Sequence, residues 1–332
     1  MPRRDTRLQT RQAVLTRNAT AYWWLFCICF VSGGATCAKR RPVAEFALPV
    51  AFTQTPTLQQ LIDHTNRSLA IQRIESNTLT ITSPGLTGQL NGNLQWERPH
   101  NFNLQAYMGS RVLGTVLAAG SNRDIFWLQS QMPPPPTLYY ARHDEFEAQL
   151  GPRRILPVSP LWLREALGIV EFDPTFEHEG PLVRSDNKLE VRSLIPSPRG
   201  PYHRVVIFSP NTLAVEETRL YDQSRKLVAS AQQSEHEYFS AIPASLPHKV
   251  IVELIPDDGN TLSFTIDIGF YLLNQTANAQ SNAFTLPDPT GLSTVDLVQA
   301  NAQMGQPTVP VPPVYRSSNA VAQPASLESY RR

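Results

Sequence analysis

From Leu262 to Leu272 every second residue is apolar: Leu262, Phe264, Ile266, Ile268, Phe270 and Leu272. The positions between them, Ser263, Thr265, Asp267 and Gly269, are small or polar, and the turn-forming run Asp257-Asp-Gly-Asn260 stands just before. A period of two predicts a β-strand with one apolar face and one wetted face. Such a face must be covered, so the strand implies a sheet and something that packs on it. The pattern recurs. Leu90, Leu94 and Trp96 share one face of a strand over 89–97, and Phe102, Leu104 and Ala106 continue it after Pro99-His100. Further strands are expected near 111–119, 124–129, 137–142, 188–194, 202–208, 213–222, 226–238 and 249–255. The fold class is therefore α+β: one large curved antiparallel sheet with a few covering helices.

Two helices are expected. The first covers about 56–73, with Thr57 and Gln60 spaced as a capping box and Leu58, Leu61, Ile62, Thr65 and Leu69 along one face. The second is short, with Ser159 as N-cap, Pro160 in the first turn, an apolar run over 161–167 and Gly168 as its stop. Met132-Pro-Pro-Pro-Pro136 cannot donate ladder hydrogen bonds and reads as a stiff connection. A body of this size buries enough surface to fold without disulfides or metals.

The N-terminus has a different character. Residues 1–36 carry five arginines (Arg3, Arg4, Arg7, Arg11, Arg17) against one acid, Asp5, leaving 24 basic and 27 acidic residues from position 37 onward. The net charge of +1 thus hides a basic leader, and the chain as a whole offers no strong attraction to nucleic acid. The uncharged run 19–31 would span about 20 Å as a helix, too short for a hydrocarbon core of about 30 Å and suited to the apolar part of a signal peptide. The three cysteines are Cys27, Cys29 and Cys37. The first two would leave with the signal, so Cys37 would remain as a lone thiol that calls for a role. Gly34-Ala-Thr-Cys37 resembles the small-residue box that precedes the acylated cysteine of bacterial lipoproteins, which implies lipidation at Cys37. The alternative is a conventional signal cut near Ala35 or Ala38.

The expected organisation is a signal peptide over 1–36, a tether over 37–55, a folded domain over 56–300 and a disordered Pro-rich tail over 301–332. The ending Asn282-Ala-Phe-Thr-Leu-Pro287, Gly291 and Val295-Asp-Leu297, set after a long antiparallel sheet with a mid-chain helix, resembles the LolA/LolB-type β half-barrel. Leu94-Gln-Trp-Glu-Arg-Pro99, Leu138-Tyr-Tyr-Ala-Arg-His143 and Gly168-Ile-Val-Glu-Phe-Asp-Pro174 resemble stretches of uncharacterised planctomycete-type envelope lipoproteins. The resemblance implies a lipid-anchored protein of the bacterial cell envelope, facing the periplasm, whose concave side holds lipid or the acyl chains of lipoproteins.

Motifs for catalysis are missing: the sequence has no P-loop, no Gly-x-Ser-x-Gly elbow and no His-Glu-x-x-His. Arg142-His-Asp-Glu145, Glu177-His-Glu179 and Glu235-His-Glu237 place histidine beside acids, but alternation in a strand sends a His and its neighbours to opposite faces. They read as surface charge, and neither a metal, a cofactor nor an enzyme is expected. The candidate ligand-binding residues are aromatic: Trp96, Phe102, Trp127, Tyr139, Trp162, Phe264 and Phe270, any of which could instead fill the core. A second reading is an envelope protein-interaction or sensor module with a filled interior.

Overall fold

The computed structural model describes residues 48–304 except 87, 110–113, 132–133, 154 and 276–282. The proposed signal, Cys37 and the tail beyond 304 lie outside the described residues. Two antiparallel meanders build the sheet. The first comprises β1 (Arg73–Thr82), β2 (Leu90–Glu97), β3 (Asn101–Met108), β4 (Thr115–Ser121), β5 (Ile125–Ser130) and β6 (Thr137–Arg142). The second comprises β7 (Glu177–Val183), β8 (Leu189–Ile195), β9 (Tyr202–Phe208), β10 (Val215–Tyr221), β11 (Leu227–Phe239), β12 (Ala244–Leu254) and β13 (Leu262–Ile268).

They join where β13 pairs with β1, Leu79 opposite Ile268 and Ile81 opposite Ile266. The short strand β14 (Leu272–Leu273) also pairs with β1. At one rim β15 (Ser293–Asp296) adds to β6 in parallel, and at the other stands β7, which carries Gly180 and Pro181. The sheet is thus one curved, open array of 15 strands, a half-barrel, antiparallel except for the β15–β6 pair. Among the described residues four short α-helices accompany it: α1 (Leu58–Thr65), α2 (His143–Ala148), α3 (Leu163–Ala166) and α4 (Leu297–Met304). Among the described residues no helix is long and apolar enough to cross a membrane.

The concave face carries the core. Strand alternation sends Leu90, Leu94 and Trp96, then Phe102, Leu104 and Ala106, then Val250, Val252 and Leu254 to that face, where all are buried. The connection from β6 to β7 packs on this same concave side. Trp162, Ala166 and Leu167 join the main core, whereas Val170 and Phe172 pack with Leu61 of α1 and Val191, Val206 and Phe208 of β8 and β9. Two arginines fasten it. Arg204, 2% exposed, meets Glu165 at 2.9 Å and lies over the Phe172 ring. Arg153, 1% exposed, donates to the carbonyls of Pro157 and Phe146 and to the Tyr202 hydroxyl.

Several expectations need correction. The first helix ends at Thr65, continues as a 3₁₀ segment over Asn66–Ala70, and gives way to β1 at Arg73 instead of reaching it. Its capping box between Thr57 and Gln60 is present. The alternation that opens at Leu262 does not run through to Leu272. Gly269 donates to the Thr78 carbonyl at 2.7 Å, opposite the irregularity between Ser76 and Leu79 of β1. That extra residue reverses the parity, so Leu273 rather than Leu272 pairs with buried Ile74, and Tyr271 is buried where Phe270 is only half-buried. Residues 51 and 52, assigned to the tether, dock: both backbone N–H groups donate to the Asn211 carbonyl, and Ala51 and Phe52 pack on the core around Phe172. The tail expected from 301 shares its first four positions with α4, where Asn301 is fully buried.

Candidate functional site

Burying both faces of a sheet element needs side chains on each side, and the concave face of this half-barrel is not completely filled. Between it and residues 156–163 lies a cavity of about 310 Å³. Its walls are the inward positions of six strands, among them Ile81, Leu104, Leu117, Leu128, Leu254 and Phe264. The lid side is Leu156, Val158, Pro160, Trp162 and Leu163. Only Ser83, Ser159 and Ser263 bring hydroxyls, and Ser83 Oγ already donates to the Ser263 carbonyl at 2.8 Å. Leu262, 46% exposed, stands at the rim, an apolar residue that water reaches. The volume is at the low end of the roughly 300–1,000 Å³ typical of small-ligand pockets.

A second, polar cleft of about 350 Å³ shares Val158, Ser159 and Trp162 with the first. It is lined by His143, Glu147, Arg153, Arg164, Glu165 and Tyr202. Trp162 is 8% exposed, and its indole Nε1 is buried with no hydrogen-bond partner in the protein. Buried Nε atoms of Arg153 and Arg164 are likewise unpartnered. Burial pulls Arg153 below its ordinary value, and it pulls His143 below the usual histidine range with the neighbouring His100 adding to the effect. Apolar space and unused polar donors therefore meet at Trp162.

The seven aromatic candidates scatter across five environments. Trp162 and Phe264 line the apolar cavity. Trp96 and Phe102 face each other across β2 and β3 in the same core, outside the cavity wall. Tyr139 packs against the cluster of Phe126, Ala141, Phe146 and Leu297. Phe270 lies in the interruption after β13. Trp127 points the other way, to the convex face, because its partner Gly120 follows inward-facing Ala119 in β4. The aliphatic lining, led by Ile81, Leu104, Leu117 and Leu128, was not singled out by sequence reasoning. The strand alternation placed Leu104 on an apolar face but could not tell a residue beside a space from one beside another side chain.

Histidines beside acids serve the backbone. His178 Nε2 donates to the Asp173 carbonyl at 2.8 Å, and His236 Nε2 to the Val215 carbonyl at 2.7 Å. His143 Nε2 lies 3.0 Å from the Asn122 carbonyl oxygen and 3.1 Å from Ser121 Oγ. Among the described residues no group of three or more His, Cys, Asp or Glu is placed to hold a metal ion.

No protein-family model matches the sequence, and no curated protein matches it. Solved structures do resemble it at low identity. A LolA superfamily protein from Nitrosomonas europaea is 12% identical with a TM-score of 0.43, over 70% of this chain and 98% of that one. A DUF1329 family protein from Desulfovibrio piger is 14% identical with a TM-score of 0.43, over the same shares of the two chains.

Proposed function

We propose that this protein binds an acyl chain, from a lipid or from a lipoprotein, in the concave apolar cavity, and acts by binding rather than by catalysis. One observation carries the reading: a cavity whose wall is almost wholly hydrocarbon, opening beside an exposed Leu262. An interior apolar space costs stability unless it is used, because its walls forgo contacts. The adjoining polar cleft, with the unpartnered Trp162 indole N–H, gives the polar end of an amphiphile a place to lie. The basic leader and Gly34-Ala-Thr-Cys37 support an acylated Cys37 that ties the domain to a membrane of the bacterial envelope on its periplasmic side.

The test is mass spectrometry of organic extracts from a form beginning at residue 38, purified without detergent, together with titration of a fluorescent fatty acid. Stoichiometric lipid in the extract and saturable probe binding are expected. Ala119→Phe, which places a ring into the cavity, should weaken probe binding at least tenfold while the protein remains folded. A folded, lipid-free protein that ignores the probe would sink the reading and leave a protein-interaction module.

A further inference from the structure

The convex face of the sheet is divided. Over the second meander it is charged and self-paired: Arg192 meets Glu190 at 2.8 Å and Arg219 meets Glu217 at 2.6 Å, with Lys249 and Glu253 alongside on β12. Over the first meander the same face is built of amides. Asn93 stands opposite Gln105 and Gln95 opposite Asn103, with Gln129 and Gln131 beyond. These side chains line a recess of about 860 Å³, bounded on its far side by Ala283, Thr285 and Pro287. Its one ionisable lining residue, Glu75, is taken up by Arg73.

A wetted sheet face is ordinarily satisfied by charges, as the other half shows. Seven amides gathered in one open recess, Asn77 being the seventh, are a different chemistry. An amide offers an acceptor oxygen and two donor hydrogens, the complement of a hydroxyl group that both gives and takes. Their mutual bonding does not exhaust them: Asn103 Nδ2 reaches Gln95 Oε1 only at 3.5 Å, and Asn93 Oδ1 is buried with no partner in the protein. A buried acceptor left unmatched is costly, so a ligand hydroxyl that donates to it would gain more than a surface bond does. The Trp127 indole, laid over Gly120 and itself buried, lies beneath these amides and leaves them as the groups that face a ligand. With no free charge among the described residues of the lining, phosphates and carboxylates gain nothing specific. We propose that this recess is a binding site for a neutral oligosaccharide, on the face of the sheet opposite the acyl cavity and independent of it.

The experiment uses the full chain in a non-glycosidic detergent, titrated calorimetrically with neutral hexasaccharides of glucose in α1–4 and β1–4 linkage, N-acetylglucosamine and mannose. At least one should bind saturably, and the double variant Asn93→Ala/Gln105→Ala should weaken it about tenfold or more. The same variant should take up the fluorescent fatty acid unchanged. Should the variant fold poorly, side-chain amide resonances of the unaltered protein provide the readout, and those of Asn93, Gln95 and Gln105 should shift with the sugar. Silence from all four sugars at millimolar concentration, undiminished binding by the variant, or binding of an uncharged extended peptide in place of any sugar would overturn the proposal.

Discussion

At the scale of single residues, close packing has two consequences. A Cβ on Gly120 would overlap the Trp127 indole, so Gly120→Ala should lose about 1–3 kcal/mol in urea denaturation through overpacking. The second concerns protons. His64, His143 and His236 are each held below the usual histidine range, chiefly by burial. The unfolded chain therefore takes up protons near pH 6.5 that the folded chain refuses until lower pH. Stability is complete above that pH and declines as the pH falls through it. The thermal midpoint should be lower at about pH 5.5 than at about pH 7.5, and His236→Gln should narrow the difference by keeping a donor to the Val215 carbonyl without titrating. None of this was legible from the Glu-His-Glu runs, which fixed only that a His and its neighbours face apart. Which carbonyl a histidine would find is set by strands distant in sequence.

Elements were legible where a local signal sufficed. The capping box of α1, Ser159 and Gly168 around the second helix, and the bounds of β6 and β9 all follow from the chain itself. Two long strands escaped, and the four-residue β15 with them. β1 alternates only in part, because its irregularity between Ser76 and Leu79 breaks the period, and β7 contains Gly180 and Pro181. The same irregularity, felt across the sheet, turned Leu272 to the convex side, where it borders the amide recess. The long connection between β6 and β7 is held by charge as much as by apolar contact, and the Arg204–Glu165 pair is its central tie. Arg204→Ala should cost about 3–5 kcal/mol in urea denaturation by stranding a buried carboxylate, whereas Arg204→Met with Glu165→Leu should recover most of that loss.

On the scale of the whole molecule, repeated alternation was enough to foresee a large curved sheet with one greasy side, but not which parts of that side would stay unfilled. A cavity is a property of volumes summed over six strands and a connection, and no residue in the sequence announces it. The aromatic residues drew attention because of their size, while the wall proved to be mainly aliphatic. The sheet also never closes on itself, so it keeps two rims with unpaired backbone groups. On one of these Pro181 interrupts the row of donors, and on the other β15 is only four residues long. Neither rim is a good template for a neighbour's backbone. An open sheet of this size thus carries, in the build of its own borders, a guard against strand-by-strand growth into fibrils.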